Sequence, residues 1–482
     1  MKKIISSIMA AVMMLAANAG CISASAAPVP EIYPVSGGVI REATEIDISE
    51  NNGLRMGENV PMADANTTKN PCEFFNYGSD YGYKDLATRP KAAARQRMYD
   101  TLKARCEALR DYTGDLSLTT LIVGGENRGY YLLPKLKSEN HAYIMESSLS
   151  SDDVVEVYYA FRNDHPEYYW LSYGILYGSG YIYPYLFDDA GYQYYNTRRQ
   201  LEEAIDSNVS RYIDSARTAS VVSEYKIVKQ VHDDIMADVT YGYDDDGNPL
   251  QDGFAHNIVG VLDGDESTQA VCEGYSKAFQ LVLNALGLDV IYVVGYGNGD
   301  HAWDMVRLDD DKYYWVDVTW DDQYAEYCIE ENLYDIYDIY AYYFFAKGEQ
   351  AFCNASANNH IPDSSDSSGF TYQYALPTVP DDDFDTANIR KDILLVKNAD
   401  MTNGIYTCDL CFGDDIDGQN ISVMVALYDE NGVLADVDIQ DIYMVPKRQL
   451  TVYLGNETVS YSSYKFMIWD GLTTMKQIIE AK

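Results

Sequence analysis

Between residues 271 and 322 a cysteine, a histidine and an aspartate follow one another on three short, separately bounded elements. Nothing else in the chain constrains its fold as much. Cys272 stands in Val271-Cys272-Glu273-Gly274-Tyr275, where a polar loop over 263–269 gives way to an amphipathic pattern. Tyr275, Phe279, Val282 and Leu286 recur at core spacing and Gly287 follows as a stop, which predicts a helix over 273–286. An apolar strand over 290–294 comes next. A hairpin then carries His301-Ala302-Trp303 on one side of Asp309-Asp310-Asp311 and Trp315-Val316-Asp317-Val318-Thr319-Trp320 on the other.

The spacing has chemical consequences. Most structural cysteines lie inside an apolar stripe, as Cys106 does, whereas Cys272 precedes its helix. Unpaired N–H groups and the helix dipole favour a thiolate there and can stabilise an oxyanion formed by its attack on a carbonyl. A three-residue turn at Asp309–Asp311 pairs Leu308 with Lys312. Counting back along strands over 301–308 and 312–320, His301 faces Thr319 and Trp303 faces Asp317. His301 and Asp317 then become diagonal neighbours on one face. A two-residue turn would put them on opposite faces. An aspartate between Val316 and Val318 is costly to bury without a partner. A carboxylate bonded to one imidazole nitrogen fixes the tautomer and leaves the other for a thiol.

These stretches together resemble the transglutaminase-like superfamily of papain-type cysteine enzymes, in an exported bacterial form. The resemblance rests on 271–279, on Gly299-Asp300-His301-Ala302-Trp303 and on Tyr314-Trp315-Val316-Asp317-Val318-Thr319-Trp320-Asp321-Asp322, and it extends over about 221–345. It implies an α+β fold with a papain-like core. It also implies Cys272 as nucleophile, His301 as general base and acid, and Asp317 as orienter, with Trp303, Trp320, Gly274 and Tyr275 in support. The superfamily uses a second oxyanion donor upstream of the cysteine; Gln269, Asn257 and His256 are all candidates. No cofactor or metal is expected. The calcium sites of animal transglutaminases find no match, and Asp244-Asp245-Asp246-Gly247 reads as a solvated turn, lacking alternating ligands and a closing glutamate.

Around this core the chain divides into a signal peptide over 1–26, an extended lead-in over 27–80, a mixed α+β module over 81–220, the core over 221–350, a Ser/Asn/Asp/Pro-rich linker over 351–385 and a small β-sandwich over 386–482. The signal reading rests on Lys2 and Lys3, a short apolar run and Ala24-Ser25-Ala26. Lipidation of Cys21 is the alternative, though Asn18 stands where an aliphatic residue belongs. A secreted or surface-held protein with no transmembrane segment in its mature form is expected. In the module, helices are predicted over 90–111, 151–165 and 197–216, and aromatic strands over 168–177 and 181–187. A further helix is predicted over 221–239. In the sandwich, alternation is punctuated by Asn403-Gly404 and Asn431-Gly432. Cys408 and Cys411 lie three apart on a strand pattern and so face opposite ways, which argues against a local redox pair. Loss of Cys21 with the signal leaves seven cysteines, an odd number that agrees with one free thiol.

The 35 basic and 75 acidic residues give a formal charge of −40, which repels nucleic acid and anionic membrane surfaces, so no nucleic-acid partner is expected. The 45 tyrosines suit half-wet strands and clefts. The expected activity is acyl transfer on a protein or peptide substrate, cell-wall-associated in one version, through a Cys272 thioester. It leans toward hydrolysis because no device for excluding water is visible. A catalytically silent surface-binding or cell-wall scaffold is the rival.

Overall fold

The computed structural model describes residues 77–123, 126–134, 148–178, 181–187, 191–265, 269–353, 360–363, 375–391, 394–414, 416, 418 and 420–471, together with the backbone of 42–45 and 477–480. The expected signal peptide, with Cys21, and most of the lead-in lie outside these residues. The chain forms two compact units: one from Met1–Tyr212, Val231–Arg307 and Asp311–Phe384, the other from Ile213–Gln230, Leu308–Asp310 and Asp385–Lys482.

In chain order the strands of the first unit are β1 Glu42–Glu45, β2 Thr119–Val123, β3 Glu126–Tyr130, β4 Gly174–Gly178, β5 Tyr181–Tyr183, β6 Val290–Tyr296, β7 Asp300–Arg307, β8 Tyr313–Val316 and β9 Ile361–Pro362. A four-stranded antiparallel sheet in the order β8-β7-β6-β9 holds the candidate site. The helix Cys272–Ala285 is buried along nearly all its length, and its Cys272 packs against Tyr292 and Val294 of β6 and Ala302 of β7. Even its charged residues are enclosed, so each needs a counter-charge. Glu273 meets Lys277 one turn on, Arg162 at 3.6 Å and His256 at 3.3 Å.

The β7–β8 hairpin has the register a three-residue turn predicts: Arg307 pairs with Tyr313 and Asp304 with Val316. Asp311 supplies the left-handed residue of the turn, at φ 62°. The expected pairs Trp303–Asp317 and His301–Thr319 do not form, however. The strand ends at Val316, and Asp317 begins a helix, Val318–Glu330, whose Trp320 N–H donates to its Oδ1. The β-branched and aromatic residues around Asp317 favour a strand, and the cap overrides them.

Elsewhere, helices Ala92–Arg110 and Ser151–Asp164 form close to the predicted bounds, the second closed by a Ser150–Asp153 capping box. Tyr195–Ala219 is longer than predicted, and Glu224–Asp238 is shorter. The aromatic strands are shorter too. Tyr168 to Tyr173 precede β4 as buried turns, because their rings serve a three-dimensional cluster rather than a ladder. β1, inside the expected lead-in, pairs parallel with β4. The stretch expected as a linker contributes the edge strand β9 and the buried His360 and Phe384. No helix among the described residues is long and apolar enough to cross a membrane.

In the second unit β10 Leu394–Thr402, β11 Ile405–Phe412 and β14 Gln449–Gly455 form one sheet. β12 Asn420–Tyr428, β13 Leu434–Tyr443, β15 Ser463–Trp469 and β16 Gln477–Glu480 form the other, giving the sandwich. Its core joins Leu410 and Phe412 to Val423, Val425, Phe466 and Ile468. Asn403 and Gly404, at φ 51° and 81°, make the β10–β11 turn. Cys408 faces this core while Cys411 packs on Val221 and Val222, so the two thiols diverge.

Candidate active site

Cys272 is the first residue of its helix, after an extended Val271. The helix start is pressed against the 255–257 backbone: Val271 N–H donates to the Ala255 carbonyl at 2.9 Å, and a Cβ on Gly274 would stand 2.5 Å from that oxygen. A larger residue at 274 would push the first turn, with Cys272, off its seat. Tyr275 pins the same turn from the other side by donating to Asp322 Oδ2 at 2.7 Å.

His301 Nε2–H donates to Asp317 Oδ2 at 2.8 Å, both side chains having no exposed surface. Strand pairing does not bring them together; the start of β7 meets the N-terminus of the helix Val318–Glu330 that follows β8. Trp320 stacks on the His301 ring at 5.2 Å, and Trp303 lies 5.7 Å away, so the indoles hold the imidazole plane. His301 Nδ1 makes no hydrogen bond of normal geometry. Burial works against a charged imidazole here, but the Asp317 charge and hydrogen bond overcome it, Cys272 acts in the same sense, and the His301 pKa is pushed up to about 10. Burial likewise opposes the Asp317 charge, yet His301 and His360 hold this carboxyl well below the usual range.

His360 is the residue that sequence reasoning missed. Its Nε2 lies 3.0 Å from the same Asp317 oxygen, and it is fully buried against Trp303, Trp320, Phe344 and Phe352. It stands in a Ser/Asn/Asp-rich stretch with no periodicity, so only the odd histidine itself was a signal. Ligand atoms of His301, Asp317 and His360 lie within 4.8 Å of one another, near enough to share a metal ion, and the 2.8 and 3.0 Å separations are those of N–H···O bonds.

The expected oxyanion donors divide. His256 directs Nε2 to the Leu250 carbonyl and Nδ1 toward Glu273. Asn257 donates to the Gly253 carbonyl at 2.5 Å, and its oxygen receives Val259 N–H. Both are spent on local structure, because a buried polar loop must satisfy its own backbone. Gln269 stands half-buried three residues before Cys272.

A thiol on the first residue of a helix, beside an imidazole that is bonded to a carboxylate and packed on an antiparallel sheet, is the arrangement of papain-like α+β thiol sites. Residues 211–319, with Cys272, His301 and Asp317 inside them, match the family described as the transglutaminase-like superfamily, and this stretch is similar to its core domain. No curated protein matches the chain.

Proposed function

We propose that the protein is an exported cysteine enzyme that transfers acyl groups from protein or peptide amides. The observation that carries this is the His301–Asp317 bond at 2.8 Å, which commits Nε2 and leaves Nδ1 to the thiol. His301 takes the Cys272 proton, giving a thiolate–imidazolium pair. The sulfur attacks the carbonyl carbon of a carboxamide or peptide; the helix N–H groups and Gln269 receive the developing oxyanion. On collapse the C–N bond breaks, and His301 gives its proton to the departing amine. Water then attacks the thioester, losing a proton to His301, and the C–S bond breaks. Water as acceptor makes the enzyme a peptidase or deamidase; a lysine as acceptor makes it a cross-linker. We favour water. Asp317 holds the ring and its charge throughout. The N-terminal residue pattern, Lys2 and Lys3 before a short apolar run and Ala24-Ser25-Ala26, supports export.

A second reading, a silent surface scaffold, draws on one observation. Cys272, His301 and Asp317 all have no exposed surface, so an amide reaches the sulfur only if covering groups move. Incubation with a casein-like substrate and a labelled amine decides between them. Peptide cleavage, ammonia release or amine incorporation, each abolished by Cys272→Ala, is the expected result. None of the three, with Cys272 labelled by a thiol electrophile no faster than the other cysteines, makes the protein a scaffold.

A further inference from the structure

We infer that His360 is a positioning residue of the thiol site, a second imidazole donor that locks the Asp317 carboxylate in register with His301. The inference rests on the acyl-transfer reading above and adds a fourth side chain to its machinery. Asp317 Oδ2 lies 2.8 Å from His301 Nε2 and 3.0 Å from His360 Nε2, while Oδ1 receives the Trp320 N–H at 3.1 Å. Three donors from three separate elements thus surround one buried carboxylate. The Trp320 N–H on Oδ1 and the His301 N–H on Oδ2 set the carboxylate's rotation about χ2. The His360 bond adds a second N–H to Oδ2, so that displacing this oxygen from His301 also breaks the bond to His360.

His360 is itself held from every side. Its ring lies 4.0 Å from Phe352, 4.3 Å from Trp320, 5.0 Å from Trp303 and 5.3 Å from Phe344, centroid to centroid. It immediately precedes β9, whose Ile361 and Pro362 pair with Tyr296 and Gly295, and Gly295 in turn faces His301 across β6–β7. The edge strand therefore connects both imidazoles through the sheet as well as through the carboxylate. Outer partners of this kind set ring orientation and carry a large share of activity. His360 falls outside the 211–319 stretch that matches the superfamily.

The alternative is that His360 merely fills an aromatic pocket. Two substitutions separate donor from filler. His360→Phe keeps a ring in the pocket and removes the N–H; His360→Gln keeps an N–H at about the Nε2 position and removes the ring. Positioning requires His360→Phe to lower kcat about 10- to 100-fold with KM unchanged, and His360→Gln to regain most of that loss even where its melting temperature is the lower of the two. Iodoacetamide labelling of Cys272 at about pH 6, where an ordinary thiol is almost wholly protonated, must follow the same order. The reverse order, with His360→Phe active and His360→Gln impaired, overturns the inference and leaves a packing residue. Should either variant fail to fold, histidine ¹⁵N spectra of the otherwise native protein decide: Asp317→Asn must shift both the His301 and His360 Nε2 signals, and an unmoved His360 signal refutes the bond. Labelling also separates the two readings. Slow labelling of Cys272 in the native protein defeats the acyl-transfer proposal. Fast native labelling that His360→Phe leaves unchanged defeats only the role of His360.

Discussion

At the scale of the residue, the site is a problem of burying charge. Asp317 and His301 each lose solvation, and each is kept charged by the other. That coupling predicts a pH signature. The His301 pKa is raised from an ordinary 6.5 to about 10, so its ion pair contributes stability fully below about pH 6.5 and loses it as pH rises through about 10. Urea unfolding should therefore show the stability gap between the native protein and His301→Gln at its widest near pH 6.5 and shrinking toward pH 10. A gap that grows with pH would mean that the imidazole is buried neutral. The Cys272–His301–Asp317 order was legible because each residue type is unusual where it stands: a thiol at the start of its helix, an aspartate between valines. His360 was not legible, since nothing local distinguishes a histidine that another element will bury.

Elements show the same division. The helix beginning at Cys272 was readable from its 3.6-residue period and its terminal glycine, and its complete enclosure gives it an energetic consequence. Phe279, with no exposed surface, should cost about 3–5 kcal/mol when replaced by alanine, measured by denaturant unfolding. A cost below about 1 kcal/mol would show that this face is not core. The β7–β8 register was also readable, because turn length fixes it. The end of β8 was not. Val316, Val318, Thr319 and Trp320 all favour strand, and only the Asp317 side chain, capping the next helix through Trp320 N–H, turns the chain away. One carboxylate thus ends a strand, caps a helix and bonds the imidazole.

For the whole molecule, the cysteines test the architecture. Among the described residues Cys106, Cys272, Cys328, Cys353, Cys408 and Cys411 are all free thiols. Peptide mapping of alkylated, non-reduced protein should find these six unpaired, with Cys272 modified first under native conditions. A Cys408–Cys411 disulfide would contradict the β11 strand, which sends one thiol into the sandwich core and the other toward Val221 and Val222. The sandwich itself was evident from short alternating strands and Asn-Gly turns, signals that local backbone chemistry sets.

What the sequence determined alone is what neighbours along the chain decide: the periodic helices, the hairpin register, the Asn-Gly turns and the residue types able to do thiol chemistry. Only the tertiary structure decided which oxygens those histidines reach, that His256 and Asn257 serve local structure, and that residues 360–362 return to close the sheet. Burial and long-range hydrogen bonding depend on segments far apart in the chain meeting in space, and no local pattern records that meeting.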